Sequence, residues 1–136
     1  MEVLKDIFVP YEIAVKLKEI GFDEPCIAGY TNTGNNLLFE SNELTRYVFE
    51  EHLVIKDFNS GKRLVSAPTW EQVLKWFRDK NYSYNIYKAS DLTYFSEVYK
   101  NDNQYLGGTD FLKSYEQTQE QLILKLIEVY KNEQNI

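Results

Sequence analysis

Residues 66–88 read Ser-Ala-Pro-Thr-Trp-Glu-Gln-Val-Leu-Lys-Trp-Phe-Arg-Asp-Lys-Asn-Tyr-Ser-Tyr-Asn-Ile-Tyr-Lys. The first half carries the marks of a helix N-terminus. Thr69 is followed three residues later by Gln72, the spacing of a capping box, in which the hydroxyl takes the amide of the third helical residue and the glutamine reaches back. Trp70, Val73, Leu74 and Phe77 then form one apolar stripe at helical spacing, with Trp76 to its side. Asp79-Lys80-Asn81 ends the run. From Tyr82 the period changes from 3.6 to 2: Tyr82, Tyr84 and Ile86 share one face of a strand, Asn85 and Tyr87 the other. A capped helix delivered straight into an aromatic strand predicts a mixed fold, in which helices cover a sheet.

The flanks extend this pattern. Residues 92–100 read as a second strand, joined to the first at Ala89-Ser90-Asp91. Asn101-Asp102-Asn103 and Gly107-Gly108 read as turns. Ser114 with Gln117 is another capping box, and Leu122, Ile123, Leu126, Ile127 and Tyr130 continue it as an amphipathic helix. Toward the N-terminus, Pro10 opens a helix whose apolar positions are Ile13, Ala14, Leu17 and Ile20, closed by Gly21. Residues 26–31 and 37–40 form a hairpin around Thr33-Gly34-Asn35-Asn36. Leu44, Tyr47, Val48 and Glu51 mark a short helix, or Thr45 to Phe49 a strand, and residues 52–57 pair with 62–66 around Asn59-Ser60-Gly61. Tight turns favour antiparallel pairing. The expected architecture is α+β: an antiparallel sheet with about three helices packed mainly on one face, in a single two-layer domain spanning residues 1–136.

Composition agrees with a soluble domain. Of the 136 residues, 43% are hydrophobic and 26% charged, an ordinary globular balance. The anomaly is aromatic: eleven Tyr, eight Phe and two Trp. A core built on tyrosine must find partners for the hydroxyls or leave them at the surface. The net charge of −6 and the scatter of the basic residues argue against duplex nucleic acid or an anionic membrane as partner, since phosphate binding needs clustered cations. Cys26 is the only cysteine, so no internal disulfide forms, which fits a reducing compartment. The first residues lack the basic and apolar regions of a leader, and no apolar run reaches the ~18 residues of a membrane span. Together these give a cytoplasmic expectation.

Three stretches carry a family resemblance: residues 10–14 with 17–26, residues 67–72 through Trp76-Phe77-Arg78, and Ser114-Tyr115-Glu116 with Lys125-Leu126-Ile127-Glu128. In this order and spacing they resemble a family of small uncharacterised proteins from gut bacteria of the Bacteroides type and their phages and mobile elements. The resemblance covers both ends and the central helix. It implies a prophage or mobile-element setting. It brings no assigned activity and no catalytic residue.

The reactive groups form no recognisable set. Cys26 and His52 are the single thiol and the single imidazole. A nucleophilic pair would need them within hydrogen-bond reach, with a third group orienting the ring. One Cys and one His do not make a structural zinc site, and the spacing of Asp23, Glu24 and Glu40 does not call for magnesium. Asp57-Phe58-Asn59-Ser60-Gly61 has the start of a calcium loop, but Pro68 stands where the bidentate Glu belongs. No metal and no cofactor is expected. What rises above background is the density of aromatics. Trp76, Tyr87, Phe95 and Tyr99 are the candidate binding residues, Phe95 and Tyr99 sharing one face of their strand. Core filling accounts for many of these rings. An exposed remainder would serve as anchors for a protein partner or a second copy. The alternatives are a small enzyme using Asp, Glu or Tyr in a cleft between sheet and helices, and a single-stranded nucleic-acid binder that stacks bases on the rings. The acidic balance opposes the last.

Overall fold

The capping box at Thr69 is closed in both directions. The Gln72 amide donates to the Thr69 hydroxyl at 3.1 Å, and the Thr69 amide donates to Gln72 Oε1 at 2.9 Å. The structure, a computed structural model, describes residues 6–31, 36–39, 56–61 and 64–135. It divides into two compact units, Met1–Gln72 and Val73–Ile136. The helix that the box opens, Trp70–Arg78 (α2), has its first turn in the former.

In the first unit, helix α1 (Tyr11–Glu19) begins at Pro10, which supplies the extended residue before the first turn. It buries Ile13, Ala14 and Leu17. Gly21, at φ +92°, ends it in a conformation that side chains resist. Strands β1 (Ala28–Thr31), β2 (Leu37–Phe39) and β3 (Leu64–Ser66) form a sheet in the order β2-β1-β3, antiparallel throughout. The 26–31 and 37–40 hairpin is therefore present; its turn at 33–35 lies outside the described residues, as do residues 41–55. Most of the second expected hairpin, residues 52–55 and 62–63, lies outside the described residues. Gly29, Tyr30 and Thr31 pair with Ser66, Val65 and Leu64, and Lys56 bridges Cys26. Both flanks of Asn59-Ser60-Gly61 thus pair with the segment around β1.

The Asp57–Gly61 stretch is a turn with an architectural role. Asp57 accepts from the Asn59 amide at 2.9 Å and caps a 3-10 turn, Phe58–Ser60. The Asn59 side chain bridges the Phe22 carbonyl (2.9 Å) and the Ser66 amide (2.8 Å). Lys18 Nζ donates to the carbonyls of Gly61 and Leu64 at 3.1 and 3.0 Å. Oxygens that a calcium ion would need are engaged within the fold.

The second unit carries a second antiparallel sheet, in the order β4 (Tyr82–Lys88), β5 (Tyr94–Lys100), β6 (Gln104–Gly108). Helix α3 (Tyr115–Gln134) lies across its three strands, chiefly over β5. Ser114 caps this helix by accepting from the Gln117 amide at 3.1 Å. The α+β class and the antiparallel pairing match the sequence reading, as do the three helices among the described residues, whose strands sort into two sheets of three. No helix among the described residues is long and apolar enough to cross a membrane.

One element differs from expectation. Gly107-Gly108 is the end of strand β6 and not a turn. Asn101 and Asp102 adopt positive φ (53° and 65°) and make the tight return. β6 then pairs with β5 through a register shift between Val98 and Tyr99. The glycines serve close approach. A Cβ on Gly107, at φ +142°, would lie 2.6 Å from Lys125 Cε, and one on Gly108 would lie 2.6 Å from the Ser96 carbonyl oxygen. Gly108→Ala must push backbone from backbone and is expected to lower stability by about 1–3 kcal/mol. Faster amide exchange at Thr109, whose N–H donates to that same carbonyl at 3.0 Å, would register the displacement; unchanged exchange and stability would refute it.

Candidate functional site

The sheet of the second unit has two chemically different faces. Along β4 and β5, the cross-strand pairs Tyr82–Lys100, Tyr84–Val98 and Ile86–Ser96 share the parity that faces α3, and Val98 and Ser96 are fully buried. Tyr82 reaches α3 directly, donating its hydroxyl to Glu133 Oε1 at 2.5 Å. Burial first, and then this carboxylate, push the Tyr82 hydroxyl well above the ordinary tyrosine range. Lys100 Nζ sits 3.9 Å from the centre of the Tyr82 ring and donates to the Lys80 carbonyl at 2.9 Å.

The opposite parity carries Tyr87, paired across the strands with Phe95, and Tyr99, paired with Tyr105. Tyr87 and Phe95 stack at 4.9 Å with an interplanar angle of 24°. Phe95 meets Phe111 at 5.0 Å, and Tyr99 meets Tyr105 edge-on at 5.7 Å. Three of these rings remain open to solvent: Tyr87 is 38% exposed, Tyr105 57% and Phe111 64%. Between Phe95 and Tyr99 stands Glu97, which accepts from the Tyr99 hydroxyl at 3.2 Å. Desolvation first, and then this hydrogen bond, hold the Tyr99 hydroxyl above its usual range.

The structure thus brings together three of the four residues singled out from the sequence. Tyr87, Phe95 and Tyr99 share the open face. Trp76 does not join them: it is 4% exposed, packed against Tyr130 at 5.4 Å, with Lys80 Nζ 4.3 Å above its ring. It belongs to an internal cluster with Phe77, Tyr82 and Tyr130. The sequence reading missed Tyr105, Phe111 and Glu97. The signal for Tyr105 was available, since a tight turn at Asn101-Asp102 implies a returning strand. Glu97 follows from the same alternation as Phe95 and Tyr99.

The remaining chemical candidates are weaker. Cys26 is fully buried, its thiol 3.4 Å from the Glu24 carbonyl. Burial chiefly, aided by the Asp57 and Glu24 carboxylates and opposed by the Ser66 hydroxyl, pushes its pKa up to about 12. A thiol so placed is no nucleophile at neutral pH. His52 lies outside the described residues. Among the described residues, no group of three or more His, Cys, Asp or Glu side chains is arranged to hold a metal. A shallow cleft of about 300 Å³ between the end of β6 and α3 is lined by Asp110, Gln121, Lys125 and Glu128 among others, and Lys125 and Glu128 approach to 3.6 Å within it. No known family model, curated protein or solved structure matches the chain.

Proposed function

We propose that this protein is a small interaction module that binds a protein partner through the open aromatic face of its second sheet, in the phage or mobile-element setting that its sequence resembles. The observation that carries the reading is the row of mutually packed rings, Tyr87, Phe95 and Phe111, continued by Tyr99 and Tyr105, left partly exposed on the face turned away from α3. Aromatic side chains at this density on a rigid sheet offer large contact area with few rotatable bonds. That is the character of residues that anchor interfaces. Ring pairing also fixes them before a partner arrives, so little ordering is left for the binding step.

The reading is tested by combining Tyr87→Ala with Phe95→Ala. Both side chains stand on the open face, so the fold should persist, as circular dichroism would verify. Affinity capture from the native host, run beside sedimentation analysis, should then show partner recovery falling by about tenfold or more, the loss typical of interface anchors. Unchanged recovery of every captured protein and an unchanged oligomeric state would sink the proposal. A second reading, a small enzyme, is favoured by one observation alone: the cleft holding Asp110, Lys125 and Glu128.

A further inference from the structure

The open face is not uniformly apolar. Glu97 stands in its middle, flanked along β5 by Phe95 and Tyr99 and paired across the strands with Asn85 and Gly108. Among the described residues its side chain takes one hydrogen bond, from the Tyr99 hydroxyl, and no lysine or arginine pairs with it. Lys88 and Lys100, the lysines of these two strands, occupy register positions of the other parity. A carboxylate set among aromatic rings presents two complementary attractions to one kind of group. The rings attract a cation through their faces, and the carboxylate offers charge-assisted hydrogen bonds.

Resting on the reading of this face as a binding surface, we propose that its occupant is an arginine side chain in a basic segment of a partner protein, the guanidinium seated against Glu97 and flat against the rings beside it. Arginine fits better than lysine, because its planar group stacks on an aromatic face while its edge forms two parallel hydrogen bonds to a carboxylate. Charge separates this occupant from the others. A second copy packing symmetrically on the same face would bring Glu97 toward Glu97, between chains that each carry a charge of −6, and like charges in an interface oppose association. A nucleic-acid strand would set its phosphates beside the same carboxylate, where the lysines of these two strands occupy the other face.

The test uses the full chain and two blocked nonapeptides, one alternating arginine with serine, the other carrying citrulline at each arginine position. Citrulline keeps the planar shape and removes the charge. The arginine peptide should shift the amide resonances of Tyr87, Phe95, Glu97 and Tyr99 and bind about tenfold or more tightly than the citrulline peptide. Glu97→Gln should weaken it by about tenfold, the scale of a hydrogen bond to a charged partner, with the thermal midpoint unchanged. Equal binding of the two peptides, no binding of either, or an affinity indifferent to Glu97→Gln overturns the inference. If Tyr87→Ala with Phe95→Ala still abolishes capture of native partners in that event, the binding surface stands and only its cation preference fails. If the same pair of changes instead dissolves a homodimer, or removes binding to an oligonucleotide, the occupant is a second copy or a nucleic acid, and the inference fails.

Discussion

Replacing Phe77 by alanine is expected to lower the stability of the 73–136 unit by about 3–5 kcal/mol, the range for removing a buried phenylalanine. Phe77 is fully buried. Its ring meets Trp76 edge-on at 5.1 Å, Tyr82 at 6.0 Å and Tyr130 at 6.2 Å, so truncation removes three ring pairs together with the buried area. These partners come from α2, β4 and α3, and the collapse that could fill the hole is resisted on each side. Trp76 lies beneath Lys80, and Tyr82 is tied to Glu133. Urea unfolding followed by the fluorescence of Trp76, in a Trp70→Phe background, would read the loss as a lower midpoint at constant slope. A loss below about 1.5 kcal/mol would mean that the cluster relaxes around the vacancy as soft cores do, and that these aromatics are not a rigid support for the sheet.

The same cluster shows what a sequence can and cannot disclose. The capping box at Thr69 and Gln72 was legible because both partners lie within one turn of each other. So was the alternation that put Phe95 and Tyr99 on one face of their strand, because strand parity needs only the chain itself; that Tyr87 shares this face follows from its pairing with Phe95 in the register of β4 and β5. The burial of Trp76 is not legible in the sequence because its cover, Tyr130, comes from a helix much later in the chain; its position beside the stripe is ordinary for a half-exposed residue until that helix is in place. Local propensity alone makes Gly107-Gly108 a turn. The physical reason for both glycines lies in Lys125 and the Ser96 carbonyl, which only the folded pairing brings near. A pairing of residues 62–66 with the segment just before Asn59-Ser60-Gly61 costs little chain entropy, since only a short turn separates them. The register with β1 closes a longer loop, and the added entropy cost grows only slowly with loop length.

The first unit carries the other large effect, and it appears only at alkaline pH. The Cys26 thiol has its pKa raised from an ordinary value near 9 to about 12, principally because burial disfavours the thiolate. The folded chain therefore keeps a proton that the unfolded chain releases above pH 9. In that window the unfolded state binds fewer protons, so stability falls as pH rises, by roughly 1.4 kcal/mol per pH unit until the folded thiol itself ionises. Below pH 9 both states hold the proton and the thiol contributes no slope. At pH 10.5 the accumulated loss should be roughly 2 kcal/mol. Tyr30 and Tyr82, both raised above their ordinary value near 10, add losses of the same sign at higher pH, so the thiol must be isolated by difference. Cys26→Ala supplies it: whatever the small cavity costs at pH 7, the gap between the two proteins should narrow above pH 9 at the slope of one proton. Denaturation curves at half-unit intervals from pH 7 to 10.5 would measure this, and parallel curves would mean that the thiol ionises as readily in the folded chain as in the unfolded one. A disulfide reagent offers an independent reading. Modification of Cys26 should proceed only through opening of the structure, and its rate should rise with urea as the population of open molecules does.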